Sequence, residues 1–132
     1  MDLREAVTAV YAGIGCRKNC PADEIVTLVE RALEMLGTPD LAALATSESK
    51  RGEPALATAA ARLRMPLHFF GNAVLDRLQD GVTAPSARVR AATGLTSVAE
   101  AAALAAAGPG AILALPRIQS ARATCALARR PA

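Results

Sequence analysis

Apolar positions along the chain alternate between short continuous runs and longer stretches with helical spacing. The clearest helix is predicted over residues 21–36, where apolar side chains recur on one face. Two acids, Asp23 and Glu24, lie in its first turn, where the helix dipole favours negative charge, and Gly37 suits its end. The remaining patterns predict helices over residues 54–63, 72–78, 85–94 and 98–107, and strands over residues 6–14, 41–46, 67–70, 111–115 and 123–128.

This alternation of strands and helices predicts an α/β fold with a mainly parallel sheet of about five strands. The turn predicted over residues 116–122 is short, so the last two strands form a hairpin and the last strand is antiparallel. The helix over residues 98–107 is nearly all apolar and should be largely buried, with Ser97 and Glu100 matching a capping box at its start. Residues 129–132 are predicted to be a solvated tail.

The first strand runs into a glycine-containing stretch, residues 11–21, with the sequence YAGIGCRKNCP. A strand that turns through Gly13 and Gly15 into a helix leaves free backbone N–H groups at the strand's carboxyl end, where α/β sheets bind ligands. Arg17 and Lys18 lie in the same predicted turn. The stretch therefore predicts a site for anions such as carboxylates or phosphates. Alternatively, the glycines only make a tight turn and the two cations are solvated.

Composition narrows the function classes. The 132 residues suit a single domain, and 52% hydrophobic with 20% charged residues indicate a folded globule rather than disorder. Only 2% of residues are aromatic, which argues against stacking platforms for single-stranded nucleic acid. A net charge of +3 suits an acidic small molecule better than a duplex, so no nucleic-acid partner is expected.

The location of the protein is predicted from its cysteines and its termini. Three cysteines, an odd number, and no secretion signal indicate free thiols in the cytoplasm. The most apolar window, residues 98–115, is interrupted by Glu100 and by the Gly-Pro-Gly at residues 108–110, so no membrane span is expected.

The cysteines and glycines also bear on candidate chemistry. A dinucleotide fingerprint would require a third glycine where Lys18 stands, which argues against a nucleotide cofactor. Cys16, beside two cations, is a candidate nucleophile with a lowered pKa, although a cysteine in such a place is more often a packed hydrophobic residue. Cys16 and Cys20 have neither thioredoxin nor zinc spacing, and Cys125 is predicted to lie in the core. No metal and no cofactor are expected.

Acid–base groups are scarce near the predicted ligand edge. Glu48 and Glu53 are the only carboxylates expected there, so one of these two would be the candidate general base. Alternatively, both are solvated residues at the start of a helix. His68, the sole histidine, lies on a predicted strand, and no catalytic triad can be assembled around it.

Several blocks of the sequence carry a resemblance to a known family. They are GIGCRK at residues 13–18, ALAT at 43–46 with Lys50 and Glu53, PL and FF within 66–70, PS at 85–86 with VAEAAA at 98–103, and LPR at 115–117 with a closing segment to residue 129. In this order they resemble the CobE/CbiG C-terminal domain family of cobalamin biosynthesis over almost the whole chain.

This resemblance implies a three-layer α/β/α domain with a mixed sheet, acting in adenosylcobalamin assembly. In the anaerobic branch, the two-part protein CbiG opens the δ-lactone of a cobalt-precorrin and releases a two-carbon aldehyde fragment. In aerobic branches the C-terminal part occurs alone as CobE, and this sequence is similar to that stand-alone form. Precorrins are fringed with acetate and propionate groups, which would require a basic binding surface.

The sequence departs from the family pattern in two of these blocks. Asn19 and Cys20 replace the usual Gly-Thr or Gly-Ser after the two cations, and Gln119 replaces the second lysine of the closing Pro-Lys-x-Lys-Ser. Arg117 keeps the first positive charge and can bind a carboxylate bidentately. Lysine-specific chemistry at residue 119 is therefore not expected.

The sequence thus predicts a protein that binds a precorrin or corrin-like intermediate along a basic sheet edge, as a carrier or accessory factor. Its predicted ligand-binding residues are Gly13, Gly15, Arg17, Lys18, Thr46, Lys50, Arg117 and Ser120. The alternative is a hydrolase that opens the precorrin lactone, with Arg17 and Lys18 polarising the ester and Glu48 or Glu53 as base. A generic nucleotide-binding domain is a third possibility. Other cobalamin-pathway enzymes are possible partners.

Overall fold

A five-stranded sheet with helices on both sides forms the body of the protein. The computed structural model describes residues 9–37, 40–78 and 98–130. Its strands are β1 Val10–Cys16, β2 Leu41–Ser47, β3 Leu67–Phe70, β4 Ile112–Gln119 and β5 Ala123–Arg129. Its helices are α1 Ala22–Leu36, α2 Pro54–Leu63, α3 Asn72–Arg77 and α4 Val98–Ala107, with a short 3-10 turn at Glu48–Lys50.

The strand order is β3-β2-β1-β5-β4. β1 pairs in parallel with β2, and β2 in parallel with β3, whereas β5 is antiparallel to both of its neighbours. Two successive antiparallel pairings leave β4 running in the direction of β1. The predicted mixed, mostly parallel sheet with an antiparallel last strand is therefore confirmed.

Helices α1 and α2 cover one face of the sheet, and α4 covers the other. On the first face, the apolar side of α1 buries Ile25, Leu28 and Val29 against Ala12 and Ile14 of β1. Pro21 precedes α1 with an extended backbone, and Gly37 ends it at φ +83, a left-handed conformation that glycine adopts without strain. This is the three-layer α/β/α arrangement that the sequence resemblance implied.

The α4 face is built from small residues. Ala101, Ala102 and Ala103 are fully buried, as the apolar pattern of this helix predicted. They pack on a face of the sheet that includes Gly13, Ala45 and other small residues. Helix and sheet therefore approach each other with little side-chain volume between them.

The last hairpin differs from its prediction. β4 extends through Gln119 rather than ending at residue 115, and β5 extends through Arg129, where a solvated tail was predicted. The predicted turn is wrong for residues 116–119, because β4 is an edge strand and tolerates Pro116, which lacks a backbone N–H. The pairing of β4 with β5 is irregular between Leu115 and Ile118, which accommodates this proline.

Four predictions fall partly or wholly outside the described residues: the strand before residue 9, the helix over residues 85–94, the cap at Ser97 and the end of the tail at residues 131–132. Within the described ranges, every helix is too short or too polar to reach across a bilayer.

Candidate functional site

The carboxyl ends of β1, β2 and β4 lie at one edge of the sheet, and the turns that leave them are residues 17–20, 48–53 and 120–122. We call these three turns the carboxyl edge. From β1 the chain moves outward to β2 and β3 with its helices on one face, and it returns to β4 with α4 on the other face. The direction changes at β1, and such a switch point is where open α/β sheets bind ligands.

The first turn carries the two exposed cations Arg17 and Lys18. It is closed by a hydrogen bond from the Cys20 backbone N–H to the Arg17 carbonyl at 3.2 Å, and Asn19 has φ +66. Asparagine is among the few residues that adopt this left-handed conformation readily. The departure from the family pattern at this position is thus compatible with the turn.

The tight turn predicted at the two glycines is wrong, because β1 continues through Cys16 and both glycines lie within the strand. A Cβ at Gly13 would lie 1.8 Å from the carbonyl oxygen of Ala99 in α4. A Cβ at Gly15 would lie 2.7 Å from Thr124 Oγ1. Gly13 therefore permits the close approach of helix and sheet, and Gly15 makes room for a side chain of β5.

The second turn brings a cation and a carboxylate next to the first. The Glu53 carboxylate accepts a hydrogen bond from the Asn19 backbone N–H at 3.4 Å. The half-buried Lys50 and Glu53 both interact electrostatically with the Cys16 thiol. Lys50 thus joins Arg17 and Lys18 at the carboxyl edge, as the sequence predicted from its position after a strand.

The other polar residues of the second turn are exposed. Glu48 lies 3.6 Å from Arg51, and both side chains are 61% exposed. The Arg51 guanidinium also lies over the ring of Phe69, 4.4 Å from its centroid. An exposed ion pair of this kind contributes little stability.

Thr46 is not accessible to a ligand in this structure. It is fully buried, and its hydroxyl donates to the carbonyl of Ile14 at 2.7 Å. This bond links β2 to β1, so the predicted ligand contact is replaced by a structural one.

The third turn is fixed by a glutamate that the sequence interpretation did not place at this edge. Glu24, in the first turn of α1, accepts hydrogen bonds from the Ser120 hydroxyl at 2.5 Å and from the Arg122 backbone N–H at 2.6 Å. These bonds lower the pKa of Glu24 below its ordinary value. The expectation that Glu48 and Glu53 are the only carboxylates here is therefore wrong, and the Ser120 hydroxyl is engaged by Glu24.

The first and third turns are also joined through their backbones. The Arg17 N–H donates to the carbonyl of Arg122 at 2.8 Å. The exposed Arg122, which was not among the predicted ligand-binding residues, thus lies beside the first turn.

Arg117 lies within β4 and not in the turn that was predicted to contain it. Its backbone N–H donates to Glu100 Oε2 at 3.0 Å, and its Nη1 lies 3.6 Å from Glu100 Oε1. The Glu100 side chain is fully buried in α4, whereas the Arg117 side chain is 23% exposed. Arg117 is thus an ion-pair partner of Glu100.

The cysteines are not activated by their surroundings. Burial raises the pKa of the Cys16 thiol, and this effect outweighs the opposing charge of Lys50. Burial, with help from Glu24, raises the pKa of Cys20 to about 11. Burial alone raises the pKa of Cys125, which lies in the core as predicted, to about 12. The predicted lowering of the Cys16 pKa by neighbouring cations is therefore wrong.

Other features of the described residues do not add to this edge. No three His, Cys, Asp or Glu side chains among them come together as a set of metal ligands. A cleft of about 430 Å³ opens elsewhere, between α3 and the end of α4, and Arg77 is its one charged lining residue among those described.

Sequence reasoning missed Glu24, Glu100 and Arg122. Glu24 carried a signal as a first-turn acid, but its favourable interaction with the helix dipole already explained that signal. The contacts of Glu24 and Glu100 join residues 98 and 17 positions apart, and only the folded hairpin brings them together.

Comparison with known proteins agrees with this architecture. The family described as "Cobalamin synthesis G C-terminus" matches residues 10–128. The chain belongs to this family of cobalamin-biosynthesis proteins. It is 39% identical to Protein CobE of Sinorhizobium sp over 126 residues, which cover 94% of this chain and 82% of the relative.

Similarity to solved structures extends the agreement to the fold. The crystal structure of CobE, from the cobalamin (vitamin B12) biosynthetic pathway, matches with a TM-score of 0.88 and 43% identity over 93% of this chain and 91% of that chain. The cobalamin biosynthesis protein ChiG of Agrobacterium tumefaciens matches with a TM-score of 0.77 and 33% identity over 93% and 99%. The sequence resemblance to the CobE/CbiG C-terminal domain is confirmed.

Proposed function

We propose that this protein binds a precorrin or corrin-like intermediate of cobalamin biosynthesis at the carboxyl edge and acts as a carrier or accessory factor. The observation that carries the proposal is the placement of Arg17, Lys18 and Lys50. These three cations belong to two separate turns that meet at the sheet's switch point. Family membership indicates the pathway in which the protein acts. The three cations are suited to binding the acetate and propionate groups of a precorrin.

Helix orientation supports an anionic ligand at the same place. Helices α1 and α2 begin directly after the first and second turns. Helix α4 also begins there, because Val98 lies 3.9 Å from the position that a Cβ of Gly15 would occupy. Three helix amino termini therefore direct positive partial charge toward the carboxyl edge, which favours carboxylates of the ligand.

The pKa and the contacts of the candidate catalytic residues favour a binding role over catalysis. Burial raises the pKa of Cys16, which reduces its thiolate fraction near neutral pH. Glu48 is paired with Arg51 in solvent, and Glu53 accepts a hydrogen bond from the Asn19 backbone. A carrier would then hand its ligand to another enzyme of the pathway.

The proposal can be tested with two corrinoids that differ in side-chain charge. Cobyrinic acid carries free carboxylates, and cobinamide carries amides at the same periphery. We expect the protein to bind cobyrinic acid, with affinity that falls as NaCl rises, and to bind cobinamide at least tenfold more weakly. Arg17→Ala and Lys18→Ala should each weaken binding of cobyrinic acid by about tenfold, since each removes a charge-assisted hydrogen bond.

Titrations followed by the corrinoid absorption band give these affinities. Equal affinity for the two corrinoids, or affinity that does not change in either variant, would contradict a carboxylate-binding edge. Preferential binding of ATP or NAD would favour the nucleotide-binding alternative.

Incubation with a lactone-bearing cobalt-precorrin separates the carrier from the hydrolase. A carrier retains the unchanged pigment through gel filtration. Release of a two-carbon aldehyde by the purified protein, lost in Glu53→Gln or Glu48→Gln, would establish the lactone-opening alternative instead.

A further inference from the structure

Arg122 occupies the tip of the β4–β5 hairpin with its backbone held from both sides. Its N–H donates to Glu24 Oε2 at 2.6 Å, and its carbonyl accepts the Arg17 N–H at 2.8 Å. Three segments of the chain, from α1, the first turn and the third turn, therefore meet at one residue. The backbone position of Arg122 is thereby fixed relative to that of Arg17.

Glu24 is the group that joins these segments. The same carboxylate oxygen also accepts the Ser120 hydroxyl at 2.5 Å, and the Ser120 N–H closes the hairpin on the carbonyl of Ala123 at 2.9 Å. These donors lower the pKa of Glu24, so it carries its negative charge at neutral pH. A charged acceptor at this position holds the hairpin turn more firmly than a neutral one would.

In the described part of the chain, the charge of the Arg122 guanidinium acts on Glu24, whose pKa it helps to lower, and on Cys20. The residue is exposed, and none of the salt bridges there includes its guanidinium. Its hydrogen bonds to Glu24 and Arg17 are made by the backbone alone. A backbone held beside the first turn thus carries an exposed guanidinium outside any ion pair of the described residues. A guanidinium binds carboxylates bidentately.

We propose that Arg122 is a further carboxylate-binding residue of the carboxyl edge and that Glu24 is the residue that positions it. Arg122 and Arg17 would bind two neighbouring acidic side chains of one ligand, because their backbones are hydrogen-bonded to each other. This inference rests on the proposed function, since the ligand is the same polycarboxylated corrinoid or precorrin.

The first test replaces the side chain of Arg122 and measures binding of cobyrinic acid. We expect Arg122→Ala to weaken binding by about tenfold and to reduce its dependence on NaCl. Arg122→Lys should recover the charge but only part of the affinity, because an ammonium lacks the bidentate geometry. Arg31→Ala is the matched control, since Arg31 is an exposed arginine of α1, outside the turns of the carboxyl edge, and this variant should bind as the wild type does.

The second test asks whether Glu24 acts through Arg122. Glu24→Gln should weaken binding of cobyrinic acid in the wild-type background by a few-fold, because a neutral acceptor holds the hairpin turn less firmly. In the Arg122→Ala background the same substitution should have no further effect, since the side chain that it positions is absent. A purely structural Glu24 would weaken binding equally in both backgrounds, and that result would overturn its positioning role.

The outcomes separate this inference from the proposed function. If the wild type binds cobyrinic acid and Arg17→Ala weakens binding while Arg122→Ala does not, the role of Arg122 is overturned and the proposed function stands. If the wild type does not bind cobyrinic acid at all, the proposed function is overturned, and the inference with it. Circular dichroism of each variant verifies that the fold is retained.

Discussion

Glu100 and Arg117 form an ion pair between the middle layer and the α4 layer of the protein. The carboxylate is fully buried, accepts the Arg117 backbone N–H at 3.0 Å and lies 3.6 Å from the guanidinium. The Nη1 atom of Arg117 is itself buried without a hydrogen bond among the described residues. The side chain of Arg117, in the edge strand β4, therefore compensates the negative charge of a carboxylate that is buried in α4.

Removing this arginine should destabilise the fold. We expect Arg117→Ala to lower the free energy of unfolding by about 1–3 kcal/mol, because the buried carboxylate loses a charged neighbour. Urea unfolding followed by circular dichroism measures the change. Arg31→Ala should change stability by less than about 0.5 kcal/mol, as expected for an exposed arginine. Equal effects of the two substitutions would show that the pair is energetically unimportant.

Gly13 should tolerate no side chain. In Gly13→Ala the new methyl would meet the backbone of α4, 1.8 Å from the Ala99 oxygen and 2.5 Å from the Ala103 nitrogen, and backbone atoms cannot rotate away. We expect a loss of about 3 kcal/mol or more in unfolding free energy, or failure to fold.

A glycine in open space provides the control for Gly13. Nothing lies within 4 Å of a Cβ at Gly52, so Gly52→Ala should be neutral or slightly stabilising. Gly37→Ala should fall between the two and cost about 1 kcal/mol, because φ +83 is strained for alanine despite the open space. A different rank order in thermal unfolding would contradict the close packing of α4 on β1.

The stability of the protein should depend on Glu24 in acid. The folded-state pKa of Glu24 is lowered from its ordinary value of 4.5 by the Ser120 and Arg122 hydrogen bonds. Its contribution is therefore fully present above pH 4.5 and is lost as the pH falls through the lowered folded-state pKa. Glu24→Gln should remove this part of the acid sensitivity. Melting temperatures between neutral and acidic pH measure it, with Glu30→Gln on the solvent-exposed side of α1 as control.

The three cysteines should react slowly with thiol reagents at neutral pH. Burial raises the pKa of Cys16, that of Cys20 to about 11 and that of Cys125 to about 12, so the thiolate fraction is small at each. Mass spectrometry after timed alkylation should find Cys16 labelled first, because the other two are buried. Cys16→Ser should leave binding of cobyrinic acid unchanged, and rapid alkylation of Cys16 would contradict the expected inert thiol.

The elements that the sequence predicted well are those whose signals are local. The α1 helix is predicted by its apolar periodicity and by Gly37 at its end, and the α4 helix by its nearly continuous apolar run. The end of β4 was missed because Pro116 normally interrupts a strand, and only the position of β4 at the sheet edge makes it acceptable.

The sequence predicts which charged residues lie at the candidate site, but not the tertiary contacts that hold its turns in place. Arg17, Lys18 and Lys50 follow strand ends, which is a property of the sequence once strands are assigned. The clash that requires glycine at residue 13 depends on α4, which lies far away in sequence. The same holds for Glu24, whose partner Arg122 is 98 positions away. Contacts of this kind have no local pattern to reveal them.

The small residues at the contact between α4 and the sheet restrict which amino-acid substitutions the fold can accept. Alanine and glycine offer almost nothing to remove, so nearly every substitution at Gly13 or Ala45 of the sheet, or at Ala102 of the facing helix, adds volume where none is available. The opposite face, with Ile25 and Leu28, can exchange one aliphatic shape for another. Sequence variation compatible with this fold should therefore be distributed unequally, with the α1 side free to drift in shape and the α4 side held almost fixed.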